Sequence, residues 1–126
     1  SEDGQSHYDL GMTYREMGLL QEAATEFEIA AAGEENRSNS REMLGECYLE
    51  LNQSEDAIRA LEQVLPLADD ETRAMTHMRL GKAREALGEW DRAEEEYYRA
   101  LELKSDLDEA TQLLETLERR REQGAA

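Results

Sequence analysis

The reactive side chains of this chain are two histidines, one cysteine and a large surplus of carboxylates. An imidazole can carry a proton near neutral pH or ligate a metal, so His7 and His77 are the first candidates. Neither sits in an HExxH pattern, and no GxGxxG or Walker-type loop occurs. Cys47 is the only cysteine, so neither an internal disulfide nor a multi-cysteine metal site is open to the chain. Asp69-Asp70-Glu71 is a dense oxygen cluster, but it is too short to place alternating ligands as a calcium loop does. With 31 acids in 126 residues, any one pair of carboxylates says nothing about acid–base catalysis. The reading is therefore no enzyme, no metal and no cofactor.

Charge narrows the partners. A net charge of -17 repels nucleic acid and anionic membrane surfaces and favours a basic partner. The excess is uneven: residues 4–73 carry 16 acids and 5 bases, and residues 74–107 carry 8 acids and 6 bases. No apolar run approaches the ~20 residues that cross a bilayer, so no direct membrane insertion is expected. The chain has no initiator Met and its pattern starts near residue 4, which reads as a piece of a longer protein.

That pattern is helical. One proline, few aromatics and abundant Ala, Leu, Glu and Arg favour an all-α chain. Leu10, Tyr14 and Met17 recur at helical spacing before Gly18, and Ala23, Phe27, Ala30 and Ala31 share one face before Gly33. A second hairpin carries Leu44, Tyr48 and Leu51 up to Asn52, then Ala57, Ile58, Leu61, Val64 and Leu65, with Pro66 limiting continuation. A third opens at Asp69-Asp70-Glu71, turns at Gly88 and runs on to Leu103. Gly18, Asn52 and Gly88 suit the left-handed C-terminal cap. Asn39 with Glu42, and Asp106 with Glu109, have capping-box spacing. The last helix ends in Arg119-Arg120-Arg121, which reads as cationic end-capping.

Leu10-Gly11, Leu44-Gly45 and Leu80-Gly81 recur 34 and 36 residues apart, each followed at one offset by Ala23, Ala57 or Ala93. A period of this length marks stacked supersecondary units. Interior glycine costs about 1 kcal/mol against alanine, so a close helix approach should offset it. The expected partners are Gly11 with Ala23, Gly45 with Ala57 and Gly81 with Ala93. Thr13, Cys47 and Ala83 share one register, which predicts a buried packing position for the cysteine. His7 and His77 also share a register, in copies too far apart to hold one metal, and are expected to pack between helices.

These residues resemble the tetratricopeptide repeat. His7…Leu10-Gly11…Tyr14…Gly18…Ala23…Phe27…Ala30 is a nearly complete copy, Leu44-Gly45…Tyr48…Asn52…Ala57…Leu61…Val64 a looser one, and Leu80-Gly81…Gly88…Trp90…Ala93…Tyr97…Ala100 a third. Leu114 falls 34 residues after Leu80, so the last helix resembles the family's capping helix. The chain departs from the family at His7, Arg41 and His77 (where tryptophan is frequent), at Arg84, and at the missing inter-repeat proline. The resemblance implies an all-α, right-handed solenoid of helical hairpins with seven helices. It reads as one domain over 1–126, with repeats at about 4–37, 38–73 and 74–107 and a cap at about 106–122.

It also implies a concave groove lined by the first helix of each hairpin, which takes a peptide or helix of a partner protein. The positions left over from the core are Gln5, Tyr8, Met12 and Arg15; Asn39, Glu42, Glu46 and Leu49; and Met75, Met78, Lys82 and Glu85. Among them Tyr8, Met12, Leu49, Met75 and Met78 make an adaptable apolar strip beside Glu42 and Glu46, suited to a basic-apolar partner. One subclass of the family holds a C-terminal carboxylate in a Lys/Asn/Arg clamp. The equivalent places here are Tyr8, Met12, Met43 and Arg79, so that clamp is not reproduced. The alternative expectation is a structural module whose strip or end packs on further repeats or on a second copy.

Overall fold

The structure, a computed structural model, describes residues 2–33 and 37–125. Seven α-helices account for most of them: α1 (Glu2–Glu16), α2 (Leu20–Ala31), α3 (Arg37–Glu50), α4 (Ser54–Glu62), α5 (Asp70–Ala86), α6 (Trp90–Leu103) and α7 (Asp108–Arg120). Among the described residues there is no strand. A single 3-10 turn, Leu65–Leu67, follows α4 and contains Pro66, whose ring disfavours helical backbone at the residue before it. The chain forms two compact units, Ser1–Leu67 and Ala68–Ala126.

Each hairpin closes the same way. Gly18, Asn52 and Gly88 all have positive φ, at 79°, 60° and 75°. There the chain turns back, with Leu19, Gln53 and Glu89 each donating a backbone N–H to a carbonyl five residues earlier. Asn52 does this with a Cβ, which Asn tolerates better than most residues. At the start of α5, the Asp69 side chain accepts from the Thr72 amide at 2.8 Å. That bond satisfies one of the orphan donors of the first turn.

The other two expected caps are not there. Helix α3 already includes Asn39, so that residue is inside the helix. Helix α7 is preceded by Leu107, which makes no side-chain cap, while Asp106 pairs with Lys104 at 3.3 Å.

The glycines face larger neighbours than expected. A Cβ placed on Gly11 would come within 2.7 Å of the Phe27 ring, on Gly45 within 2.4 Å of Leu61, and on Gly81 within 2.4 Å of the Tyr97 ring. The partner is thus the large side chain sixteen residues on, one helical turn beyond the alanine. Ala23, Ala57 and Ala93 are fully buried, which also keeps the two backbones close. The first unit's core joins Ala23, Ala24, Phe27 and Ala31 to Leu44, Cys47 and Ala60. The second joins Ala74, Met78, Ala93, Tyr97 and Ala100 to Leu107, Ala110, Leu114 and Leu117.

Cys47 lies where the small-residue register put it, fully buried. Burial pushes its thiol up to about 11, so almost no thiolate is present at neutral pH and the group is poorly nucleophilic.

Candidate functional site

In the first unit the candidate surface is built from α1 and α3. Residues 8, 12 and 15 recur every three or four positions, so Tyr8, Met12 and Arg15 share one face of α1. The Tyr8 ring leans on Phe27, with centroids 5.7 Å apart and planes tilted by 59°. Burial, followed by the charges of Glu42, Asp9 and Glu46, pushes its phenol above the ordinary value. Tyr8 and Met12 are half-buried and rest on the first core. Each therefore has a fixed floor and a free side.

Arg15 bridges the two helices. Its guanidinium donates to Glu50 at 3.2 Å and lies 3.3 Å from Glu46. Beside it is an opening of about 310 Å³ lined by Met12, Arg15, Glu16 and Glu50. Glu42 and Leu49 are half-buried and Asn39 is exposed. Gln5 is exposed and donates its side-chain amide to Asp9 at 2.9 Å. The surface is apolar at its centre and acidic at its margin, and its one candidate cation is held by its own carboxylates.

In the second unit α5 and α7 take the corresponding roles. Lys82 pairs with Glu109 at 2.8 Å. Glu85 accepts from Arg120 at 2.8 Å and from the Tyr97 hydroxyl at 2.9 Å. Lys82, Glu85, Tyr97 and Arg120, with Ala86 and Leu113, line an opening of about 260 Å³. Met75 is half-buried against the second core. Met78 departs from the expected strip: it is 2% exposed, in a core cluster drawn from α5, α6 and α7. Helix α7 supplies Leu114 and Ala110 to that cluster, and an apolar side chain there is needed for packing.

Sequence reasoning missed the partners of both histidines. His7 Nδ1 lies 2.6 Å from Glu26, and His77 Nδ1 lies 3.2 Å from Glu96. Both pairs span nineteen residues, and that shared offset was the available signal. Among the described residues no group of three or more His, Cys, Asp or Glu gathers to hold a metal. The arginine run also does more than end a helix. Besides the Arg120–Glu85 pair, Arg121 donates to Asp91 at 2.6 Å, so the run ties α7 to α5 and α6.

Burial of Glu96 opposes its ionisation, but hydrogen bonds from His77 and Arg99 outweigh that and hold its carboxyl below the ordinary 4.5. The unfolded chain then binds this proton more readily than the native one. The pair's stabilisation is complete above about pH 4.5 and is lost as pH falls through the native value. We expect melting temperature to fall between pH 6 and about pH 3, and to fall by less in Glu96→Gln. Equal acid losses for the two proteins would contradict this assignment.

No described helix is long and apolar enough to cross a membrane. The family model for the tetratricopeptide repeat matches residues 8–74 and 44–109. No curated protein matches in sequence. Among solved structures, the first such domain of Spaghetti (RPAP3), bound to the HSP90 peptide SRMEEVD, is 22% identical. It covers 95% of this chain and 94% of its own, with a TM-score of 0.85. The second such domain of human RPAP3, in complex with the HSP70 peptide SGPTIEEVD, is 20% identical with a TM-score of 0.84. Coverage is 93% of this chain and 96% of that one. MamA from Desulfovibrio magneticus RS-1, residues 41 to the end, is 22% identical over 97% of this chain and 68% of its own, with a TM-score of 0.87. At these identities the likeness is one of fold. With the family's pattern matched from residue 8 to 109 and the same helical-hairpin fold observed, the chain belongs to the tetratricopeptide repeat family.

Proposed function

We propose that this chain is a non-catalytic protein-interaction module that binds a peptide or helix of a partner protein on the first helices of its hairpins. The observation that carries this is the α1–α3 surface, where Tyr8 and Met12 rest on the core, the charge of Glu42 acts on Tyr8, and Glu46 and Glu50 flank Arg15. Half-buried apolar groups are already ordered, so covering them costs little side-chain entropy. The acidic margin selects a partner that carries Lys or Arg beside its apolar residues. Nucleic acid does not match such a surface. The working unit is one array of three repeats and a cap.

Two structural neighbours were solved with peptides ending in EEVD. This chain is expected to bind differently. Its clamp-equivalent positions are Tyr8, Met12, Met43 and Arg79, and Arg15 and Lys82 already pair with Glu50 and Glu109. Calorimetric titration with SRMEEVD should give no binding up to about 1 mM, an affinity no better than about -4 kcal/mol. A micromolar dissociation constant would reverse the electrostatic reading.

The groove itself is tested by Met12→Asp, which places a charge at the centre of the surface. Proteins captured from source-cell lysate by the parent chain should be lost with this variant, while circular dichroism shows its fold retained. Capture of the same proteins by both would remove the groove from the reading.

A further inference from the structure

The opening beside Arg15 has a counterpart seventy residues on, with its charges exchanged. Met12, Arg15, Glu16 and Glu50, from α1 and α3, line the first. Lys82, Glu85, Ala86 and Arg120, at the corresponding positions of α5 and α7, help line the second. The ion pair in each joins the same two positions in the opposite sense. Arg15 donates to Glu50 at 3.2 Å in the first unit, and Arg120 donates to Glu85 at 2.8 Å in the second. The fold thus makes this hollow twice. Its lining carries one guanidinium and two carboxylates in the first unit, and one carboxylate and two cations in the second.

Neighbouring acids deepen the negative excess of the first hollow. Glu46 lies 3.3 Å from the Arg15 guanidinium. Burial first, and then the charges of Glu42, Asp9 and Glu46, raise the nearby Tyr8 phenol. Arg15 does not use up this charge. Its Nε is buried and finds no hydrogen-bond partner among the described residues, so its fork is engaged only in part. Its partners Glu46 and Glu50 keep side-chain exposures of 25% and 48%. Ion pairs this open to water contribute little to stability, so a second guanidinium can share or take over these carboxylates. Met12 adds an apolar wall along which a methylene stem can lie.

We infer that the first hollow receives an arginine side chain of the partner segment, with its guanidinium on Glu16 and Glu50 and its stem along Met12. This rests on the groove reading above and adds to it one residue type at one place. Arg15 is then an internal competitor for the same carboxylates. Arginine is favoured over lysine because Glu16 and Glu50 stand on two different helices. A planar fork donates in more than one direction, whereas an ammonium is a point charge. The second hollow, with the reverse charge, should refuse the same side chain.

The test is a titration followed on the protein's amide NMR signals, using the tripeptide acetyl-Leu-Arg-Leu-amide. Its counterparts carry lysine, or the neutral isostere citrulline, at the centre. The arginine peptide should give saturable shifts at Met12, Glu16 and Glu50, and citrulline should weaken binding at least tenfold. Glu50→Gln should weaken it at least fivefold, and Arg15→Met, which removes the competitor, should tighten it at least threefold. Circular dichroism checks the fold of each variant, and Glu16→Gln, at an exposed site, repeats the loss should Glu50→Gln unfold. No saturable shift, equal binding of the citrulline or lysine peptide, or shifts centred on Lys82 and Arg120 would overturn the inference. Should the peptide fail while Met12→Asp still abolishes capture, the groove stands and the arginine site falls. Should the peptide bind while capture survives Met12→Asp, the arginine site stands without the groove.

Discussion

Alanine in place of Gly81 is expected to destabilise the protein, although alanine is the better helix former. The propensity gain is about 1 kcal/mol. Against it, the new Cβ would sit 2.4 Å from the Tyr97 ring, and that ring is fully buried and held by its bond to Glu85. Overpacking of a fixed core group costs typically 1–3 kcal/mol, and this overlap belongs at the upper end. The net loss is about 2 kcal/mol, or a fall in melting temperature of roughly 6–10 °C. Thermal denaturation followed by circular dichroism reads it directly. Adding Tyr97→Leu removes the ring and should return part of the loss to the double variant. A melting point equal to the parent's would mean that the helices separate easily, and the close-approach account would fail.

Phe27→Ala attacks the first unit from the other side of the same contact. Phe27 is fully buried, covers Gly11 and supports Tyr8. Deleting such a ring costs about 3–5 kcal/mol, a large fraction of the 5–15 kcal/mol of a typical domain. Urea denaturation should show the midpoint falling accordingly. Tyr8 and Met12 also lose their floor, so partner affinity should fall under conditions where the variant remains folded. A loss below about 1 kcal/mol would show that the glycine–phenylalanine contact contributes little to the fold.

These effects explain how much of the molecule was legible in its sequence. Hairpin count, turn positions and the burial of Cys47 follow from periodicity and from residue types that few backbone geometries accept. The partner of each glycine did not follow, because one-letter spacing suggests small against small. Space vacated by a missing side chain is instead filled by a large one from the facing helix, here Phe27, Leu61 and Tyr97. Met78 shows the same limit for the site. In sequence it shares a register with Tyr8 and Glu42, but the side chains that enclose it come from α6 and α7. The ion pairs Arg15–Glu50 and Arg120–Glu85 join residues 35 apart, a separation visible only once the helices are set side by side.

The ring-on-glycine contact also bears on how fast the chain finds its fold. Gly11 with Phe27, Gly45 with Leu61 and Gly81 with Tyr97 each join residues only sixteen positions apart. Closing so short a loop costs little entropy, and it is rewarded at once by burial of a large side chain. Chains dominated by such local contacts search few arrangements and fold in microseconds to milliseconds. These sixteen-residue pairs are therefore expected to form early, and the first unit's core, which draws on both of its hairpins, to close after them.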